Sequence, residues 1–165
     1  MQSWGTQSRF PVRDTEREPS KSGVVGLLCA ALGRPRHLPV DDLAALRTGV
    51  RVEAEGSVAV DFQTAGGTHR RGDRYGVLRA EGTPGETVVS RRYYLADADF
   101  LVGLEGPTPT LLEEISAALA RPVWALSLGR KAFVPGLPVR LPDGGVRRDR
   151  SLEEALMGEP WPLPL

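Results

Sequence analysis

A run of small and apolar residues from Gly23 to Leu32 limits the folds open to this chain more than any other segment. Apolar side chains recur in it at three- and four-residue spacing, which is typical of a helix that buries one face. These side chains are Val24, Leu27, Leu28, Ala31 and Leu32. Ser20 or Ser22 can cap the start, because a serine hydroxyl accepts a hydrogen bond from a free N–H of the first turn. Gly33 is the expected stop, so the sequence predicts a core helix that ends there.

The start of this predicted helix is also a candidate anion site. An exposed helix N-terminus carries free N–H groups and partial positive charge, and Lys21, Arg9 and Arg13 add full charges beside it. Gly23 would allow close backbone approach. The alternative is an ordinary capped helix that binds nothing. A P-loop is excluded because the G-x-x-x-x-G-K-[ST] pattern is absent around Lys21.

Positive charge collects in three segments, although the 21 basic and 21 acidic residues cancel overall. Residues 1–37, 61–92 and 130–150 carry net charges of +3, +2 and +4. Nineteen of the 21 basic residues are arginine, whose guanidinium makes bidentate contacts with phosphate and stacks on bases. An arginine-rich composition also arises from a GC-rich genome. The pattern favours a single basic face that meets a polyanion.

Composition excludes several classes of protein. With 165 residues, 41% of them hydrophobic, the chain predicts one domain of ordinary size. No apolar run approaches the roughly 20 residues of a membrane span, and no signal peptide opens the chain, so we expect a cytoplasmic protein without membrane contact. The lone Cys29 has no disulfide partner. His37 and His69 lie far from it in sequence, so neither a metal site nor a cofactor is predicted.

The remaining periodic segments predict alternating strands and helices. Alternation of apolar and polar residues indicates the strands, and Ser151 with Glu154 forms a capping box that starts the last helix. The predicted elements are strands at 50–52 and 58–62, one strand across 91–106, a helix from Thr108 or Thr110 to Pro122, a strand at 123–126 and a helix at 152–157. With one strand placed before residue 1, the order becomes β-α-β-β-α-β, the ferredoxin-like split motif that RNA-binding modules of the RRM kind also use.

The segment 63–87 interrupts this pattern with six glycines and four arginines. It has neither helical nor strand periodicity, and a loop longer than about 15 residues inside a compact domain is usually functional or disordered. Two interpretations remain open: a flexible arm that binds phosphates, and a disordered surface insertion.

Three motifs carry a resemblance to a known family: QSWGT…RFPVRDTEREPSKSGVVGLLCAALG, RRYYLADADFLVGLEG and LGRKAFVP. In this order they resemble the CasD-type subunit of the type I-E CRISPR interference complex, Cascade, a member of the RAMP superfamily. The resemblance implies one α+β, ferredoxin-like (RRM-like) domain over 1–165, with 63–92 as a protruding β-hairpin thumb and 140–165 as a partial C-terminal extension. It also implies that the first strand is missing and that the chain is short at both ends.

The resemblance further implies a non-catalytic subunit that binds the 5′ handle of the CRISPR RNA (crRNA) and helps to assemble the complex for antiviral defence. Its partners would be the crRNA, a CasC-type backbone subunit and a CasA-type large subunit, with target DNA reached only through the complex. Trp4 would stack on a base or pack beneath the handle. The RNA-binding residues implied are Trp4, Arg9, Arg13, Lys21, Ser22, Gly23, Arg70, Arg71, Arg74, Arg91, Arg92, Arg130 and Lys131.

Two other functions remain open at this point. Related proteins of another CRISPR subtype cleave precursor RNA with a site of the histidine, lysine and tyrosine kind. The matching candidates here are His69, Lys131 and Tyr93 or Tyr75, which lie apart in sequence. A protein that only binds acidic protein partners, without RNA, would also use an arginine-rich face.

Overall fold

A computed structural model describes residues 1–7, 11–66, 82 and 87–162 of the chain. The described part is mixed α+β, as predicted. The elements are β1 (Val12–Arg13), α1 (Lys21–Leu32), α2 (Asp41–Ala45), β2 (Arg47–Ala54), β3 (Ser57–Ala65), β4 (Val88–Ala96), β5 (Asp99–Glu105), α3 (Pro109–Ala120) and α4 (Leu152–Gly158). The strands form two sheets, one with the order β1-β4-β3 and the other with β2 beside β5. No helix in this part of the chain is long and apolar enough to cross a membrane.

The predicted first helix is confirmed as α1 and begins at Lys21. Ser20 is its N-cap, because the Ser20 side chain accepts a hydrogen bond from the N–H of Gly23. Gly33 ends the helix with a φ of 68°, in the left-handed region where glycine has no steric penalty. Val24 and Leu28 are buried, so the apolar spacing marked the core-facing side correctly.

The main core lies between helices α1, α2 and α3 and the smaller sheet. Buried side chains of α1 and α2 cluster with Ile115 of α3, and Val102 and Leu104 of β5 pack against them. Side chains on a strand point alternately to opposite faces, so Gly103, between those two residues, faces the other way. There α4 lies over Gly103 and its cross-strand partner Gly49, so this two-stranded ribbon is covered on both faces.

The predicted single strand across 91–106 is wrong, because the chain turns in its middle. Asp97 has a φ of 56°, a left-handed conformation that aspartate tolerates better than most residues. The chain before this turn is β4, which pairs with β3, and the chain after it is β5, which pairs with β2. One apolar run therefore supplies a strand to each of the two sheets.

The predicted strand at 123–126 is also wrong. The backbone N–H groups of Val123 and Trp124 donate to the carbonyls of Ala31 and Ala30, at 3.0 and 3.1 Å. These carbonyls belong to the last turn of α1, where helical geometry leaves acceptors without an intrahelical donor. The segment therefore satisfies a helix end and joins no sheet.

A long antiparallel hairpin precedes the Asp97 turn. Strands β3 and β4 pair from Ser57 opposite Ala96 to Ala65 opposite Val88, so both strands extend into the predicted arm. Residues 67–81 and 83–86 lie outside the described residues. The predicted residues His69, Arg70, Arg71, Arg74 and Tyr75 are among them, and Arg9 also lies outside the described residues.

An ion pair closes the loop between α1 and α2. The Arg34 guanidinium bonds Asp42 through two nitrogens, one of them at 2.8 Å, and also donates to the carbonyl of Pro39. This hydrogen bonding lowers the pKa of Asp42 from its ordinary value to about 2. A carboxyl whose pKa is lower in the folded state stabilises that state when it is ionised, and the contribution disappears as pH falls through its folded pKa.

We therefore expect Asp42→Asn to lower the free energy of unfolding by about 0.5–1 kcal/mol at pH 7, the range for exposed pairs, since the Asp42 side chain is 44% exposed. The difference from wild type should shrink between about pH 4 and pH 2. Urea unfolding at a series of pH values measures both. Asp41→Asn is the control, because it removes a charge from the same helical turn without breaking this pair. A penalty that persists at pH 2, or an equal penalty for Asp41→Asn, would contradict the assignment.

Candidate nucleic-acid interface

A cleft of about 470 Å³ lies at the start of α1. Five segments form its walls: the N-terminal residues, the end of β1, the start of α1, strand β4 and the turn at 129–130. The lining residues are Ser3, Trp4, Gly5, Arg13, Asp14, Ser20, Ser22, Gly23, Arg92, Gly129 and Arg130. Six predicted RNA-binding residues are thus brought together, namely Trp4, Arg13, Ser22, Gly23, Arg92 and Arg130.

Three arginines converge on this cleft. Arg13 pairs with Arg92 across the parallel strands β1 and β4, and Arg130 donates from Nη2 to the carbonyls of Arg13 and Asp14, at 3.0 and 3.2 Å. Burial, together with the positive charges of Arg92 and Arg13, lowers the pKa of Arg130. A guanidinium remains charged at neutral pH even so. The three side chains therefore repel one another, the nearby carboxylate of Asp14 offsets this only in part, and an anion bound between them would relieve the remaining repulsion.

The first turn of α1 adds further donors to the same cleft. Ser20 caps the N–H of Gly23 at 3.3 Å, while the N–H groups of Lys21 and Ser22 point out of the helix end and have no intrahelical acceptor. No acidic side chain lies in this turn. The positive end of the helix dipole and the three arginines thus face the same space, which favours a phosphate-bearing ligand.

Trp4 is a wall of the cleft and is only 4% exposed. Its indole Nε1–H donates to Gln2 Oε1 at 2.8 Å, and its backbone N–H donates to Thr15 Oγ1 at 2.9 Å. The indole ring lies against Gly23, where an added Cβ would stand 2.7 Å from Cε3 of Trp4. Of the two roles expected for Trp4, packing is the one that this geometry supports. Gly23 lacks a side chain because the tryptophan occupies that space.

We expect Gly23→Ala to destabilise the protein by roughly 1–3 kcal/mol, as overpacking of a filled core does. The added methyl group must displace the ring of Trp4, which burial and two hydrogen bonds hold in place. Chemical denaturation measures the loss. Gly26→Ala is the matched control in the same helix, since nothing lies within 4 Å of its added Cβ, and it should be neutral or stabilising. A Gly23→Ala protein as stable as Gly26→Ala would contradict this packing.

The other predicted binding residues are placed differently. Arg91 lies on the opposite face of β4 from Arg92, with its guanidinium 5.4 Å from the centre of the Phe62 ring. Lys21 and Lys131 are exposed beside the cleft and do not line it. Sequence reasoning did not include Gly129 among the binding residues, although a glycine before two cations indicates a tight turn that could present them to a ligand. Ser3 and Asp14 carry no such signal.

Only part of the residue set proposed for RNA cleavage lies within the described residues. His69 and Tyr75 lie outside the described residues, the Lys131 side chain is exposed, and the Tyr93 carbonyl accepts a hydrogen bond from Ser3. No histidine is present among the cleft-lining residues of the described chain. The described arrangement of the cleft favours anion binding.

Comparison with known proteins now places the chain in a family. The family model described as CRISPR-associated protein (Cas_Cas5) matches residues 1–164. The chain belongs to this Cas5 family. The predicted resemblance to CasD-type proteins is confirmed, because the chain is 34% identical over 140 residues to the CRISPR system Cascade subunit CasD of Escherichia coli K12. That match covers 80% of this chain and 62% of the relative.

Two solved structures are similar in fold to this Cas5-family chain. One is a chain of a CRISPR RNA-guided surveillance complex, with 43% identity and a TM-score of 0.73 over 84% of this chain and 57% of that one. The other is a Cas protein, with 48% identity and a TM-score of 0.70 over 94% of this chain and 64% of that one. The chain spans less than two thirds of the length of each of these relatives.

Proposed function

We propose that this Cas5-family chain is a non-catalytic, RNA-binding and assembly subunit of a cytoplasmic Cascade-type complex, and that its cleft holds the 5′ handle of the crRNA. The observation that carries the proposal is the convergence of Arg13, Arg92 and Arg130 on the positive end of α1. Like charges in one cleft repel one another in the free protein, but together they attract an anionic ligand. The similarity to a Cascade subunit supports RNA as that anion.

Binding would come from phosphate neutralisation and from the free helix donors. Guanidinium groups contact phosphate oxygens through paired N–H donors, and the N–H groups of Lys21 and Ser22 can donate to one more phosphate oxygen between them. Sequence recognition of the target DNA would belong to the paired guide RNA, because RNA-guided complexes delegate it to base pairing. The role of this chain is then to hold one end of the guide in a fixed position.

The hairpin of β3 and β4 would extend this surface as the thumb. We assign residues 63–92 to it, with Arg70, Arg71 and Arg74 on backbone phosphates, while Arg9 and the exposed Lys21 and Lys131 flank the handle. Support comes from the nine-pair ladder of β3 and β4, whose last three pairs, from Gln63 opposite Ser90 to Ala65 opposite Val88, lie within this segment. Arg91, which lies over Phe62 on the far face, would meet a neighbouring part of the complex and not the cleft.

The domain itself we assign to the ferredoxin-like RAMP class. The element order α1, β2, β5, α3, with the hairpin inserted between β2 and β5, matches the α-β-β-α portion of that motif. Residues 140–165, which include α4, would be a C-terminal extension. The protein partners would be a CasC-type backbone subunit and a CasA-type large subunit.

A salt series tests the proposal directly. We expect the purified chain to bind a synthetic RNA of the repeat-derived handle, with log affinity falling by about 0.7 per neutralised phosphate for each unit of log salt concentration. The three arginines of the cleft alone predict a slope of about −2, so affinity should fall at least roughly 20-fold between about 50 and 200 mM salt, and phosphate contacts of the thumb would make the slope steeper. Fluorescence anisotropy measures the binding, and an uncharged peptide nucleic acid of the same sequence is the control. Absent or salt-independent binding would refute the RNA-binding role, and specific cleavage of the RNA would replace it with the enzyme alternative.

A further inference from the structure

Three consecutive residues near the start of the chain, Gln2, Ser3 and Trp4, are buried although two of them are polar. Their exposed fractions are 7%, 4% and 4%. Buried polar groups are stable only when hydrogen-bonded, and these residues are bonded to several different segments. We call them the N-terminal tripeptide. Its contacts reach every described segment that supplies a cation to the cleft.

Gln2 joins the tripeptide to β4 and to the turn that follows it. Its backbone exchanges two hydrogen bonds with Leu95, at 2.9 and 2.8 Å. Its side chain acts in two directions: Nε2 donates to the carbonyl of Ala98 at 2.6 Å, and Oε1 accepts from the indole of Trp4 at 2.8 Å. The side-chain amide supplies both the donor and the acceptor that these two bonds require, whereas an ionised carboxylate would only accept.

Ser3 joins β4, the Asp14 loop and the turn that carries Arg130. Its N–H donates to the carbonyl of Leu128 at 3.0 Å. Its hydroxyl lies 3.3 Å from the carbonyl of Tyr93 and 3.4 Å from that of Asp14. Tyr93 follows Arg92 directly and Asp14 follows Arg13 directly. Leu128 lies two residues before Arg130.

Trp4 completes the set at the helix start. Its backbone N–H bonds Thr15, next to the β1 segment that ends at Arg13, and its ring packs on Gly23 in the first turns of α1. The three guanidinium groups repel one another when no anion is present, so the segments that carry them must be held together by contacts elsewhere. The tripeptide supplies such contacts, beside the pairing of β1 with β4 and the hydrogen bonds of Arg130 to the carbonyls of Arg13 and Asp14.

We infer that Gln2, Ser3 and Trp4 are positioning residues for the cleft: they hold Arg13, Arg92, Arg130 and the start of α1 in the arrangement that binds phosphate, without themselves neutralising it. This inference rests on the proposed RNA-binding function and explains what holds the cleft in its binding arrangement before RNA binds. Preorganisation strengthens binding by removing the cost of ordering the site. Loss of a positioning contact should therefore lower affinity while the number of phosphates contacted stays the same.

Gln2→Glu in the full chain provides the sharpest test, with the handle RNA as the probe. An ionised carboxylate cannot donate to Ala98, and it places an unpaired charge in a buried site, so at pH 8 affinity should fall roughly tenfold. Burial raises the pKa of a carboxyl, so affinity should recover as the pH is lowered to about 5.5 and the protonated acid again donates. Arginine and phosphodiester do not titrate in this range but a histidine does, so the affinity of the variant is divided by the wild-type affinity at each pH.

Gln7→Glu is the matched control for added charge. Gln7 is exposed near the cleft and does not line it, so its glutamate should stay ionised between pH 8 and 5.5 and give no recovery. A Gln2→Glu protein whose affinity equals wild type at pH 8, or whose loss is independent of pH as in Gln7→Glu, would overturn the inference.

Ser3→Ala gives a second test that does not depend on a buried charge. It should weaken binding about three- to tenfold while leaving the salt slope unchanged, whereas Arg92→Gln should make the slope shallower by about 0.7. A slope change in Ser3→Ala equal to that of Arg92→Gln would make Ser3 a direct contact and overturn the inference. If the wild type binds RNA with the expected salt dependence and both tripeptide variants keep normal affinity, the inference alone is refuted. If the wild type does not bind RNA, the proposed function is refuted.

Discussion

Replacing Gly129 with alanine is expected to destabilise the protein by about 3 kcal/mol or more, because two independent penalties add. The residue has a φ of 85°, a conformation that costs a residue with a side chain roughly 1–3 kcal/mol. An added Cβ would also stand 1.7 Å from the carbonyl oxygen of Ser3. That neighbour is backbone, held by hydrogen bonds of the N-terminal tripeptide, so it cannot rotate away as a side chain could.

Urea denaturation, with circular dichroism as the readout, measures this loss. Gly136→Ala is the control in the same loop region, since no atom lies within 4 Å of its added Cβ, and it should change stability by less than about 0.5 kcal/mol. The Gly129→Ala protein should also lose RNA affinity, because the displaced turn carries Arg130. If Gly129→Ala unfolded at the same urea concentration as Gly136→Ala, the close contact between this turn and Ser3 would be wrong.

Reversing two charges in the cleft, Arg92→Glu with Arg130→Glu, is expected to reduce RNA affinity more than 100-fold at about 150 mM salt. Two phosphate contacts are lost and two repelling carboxylates replace them. Arg130 also donates to the carbonyls of Arg13 and Asp14, so some stability should be lost with it, and thermal unfolding must show that the variant is folded at the assay temperature.

The control for this double variant is Arg36→Glu with Arg121→Glu. It changes the net charge by the same amount at residues that do not line the cleft. Its affinity should fall by only a few-fold, through the long-range field that salt screens within about 8–10 Å. Equal losses in the two double variants would show that net charge, and not the cleft, governs binding.

Sequence reasoning succeeded where neighbours along the chain determine the structure. The cap at Ser20, the stop at Gly33 and the capping box of Ser151 with Glu154 are all present. Each is a contact between residues three or four positions apart, or a backbone conformation of one residue, so the residue types themselves are sufficient evidence. The motifs that resemble CasD-type proteins belong here too, because they were read directly from the residues.

The same reasoning failed where a distant segment competes for the backbone. Apolar character at 123–126 favours a strand, yet the end of α1 supplies open carbonyls that take the N–H groups of Val123 and Trp124. The continuous apolar run at 91–106 favours one strand, yet two different partners, β3 and β2, pair with its two halves. Local propensity contains no information about either partner.

The sequence by itself determined α1, its positive end, the concentration of arginine in three segments and the family to which the chain belongs. Only the tertiary structure decided that Arg13, Arg92 and Arg130 share one cleft while Arg91 points away from it. It also decided that Trp4 is a buried wall of that cleft and that Gln2 and Ser3 hold the surrounding segments. The reason is physical: which residues repel, hydrogen-bond or exclude water from one another depends on distances in space, and Ser3 and Gly129 become neighbours only when the chain folds.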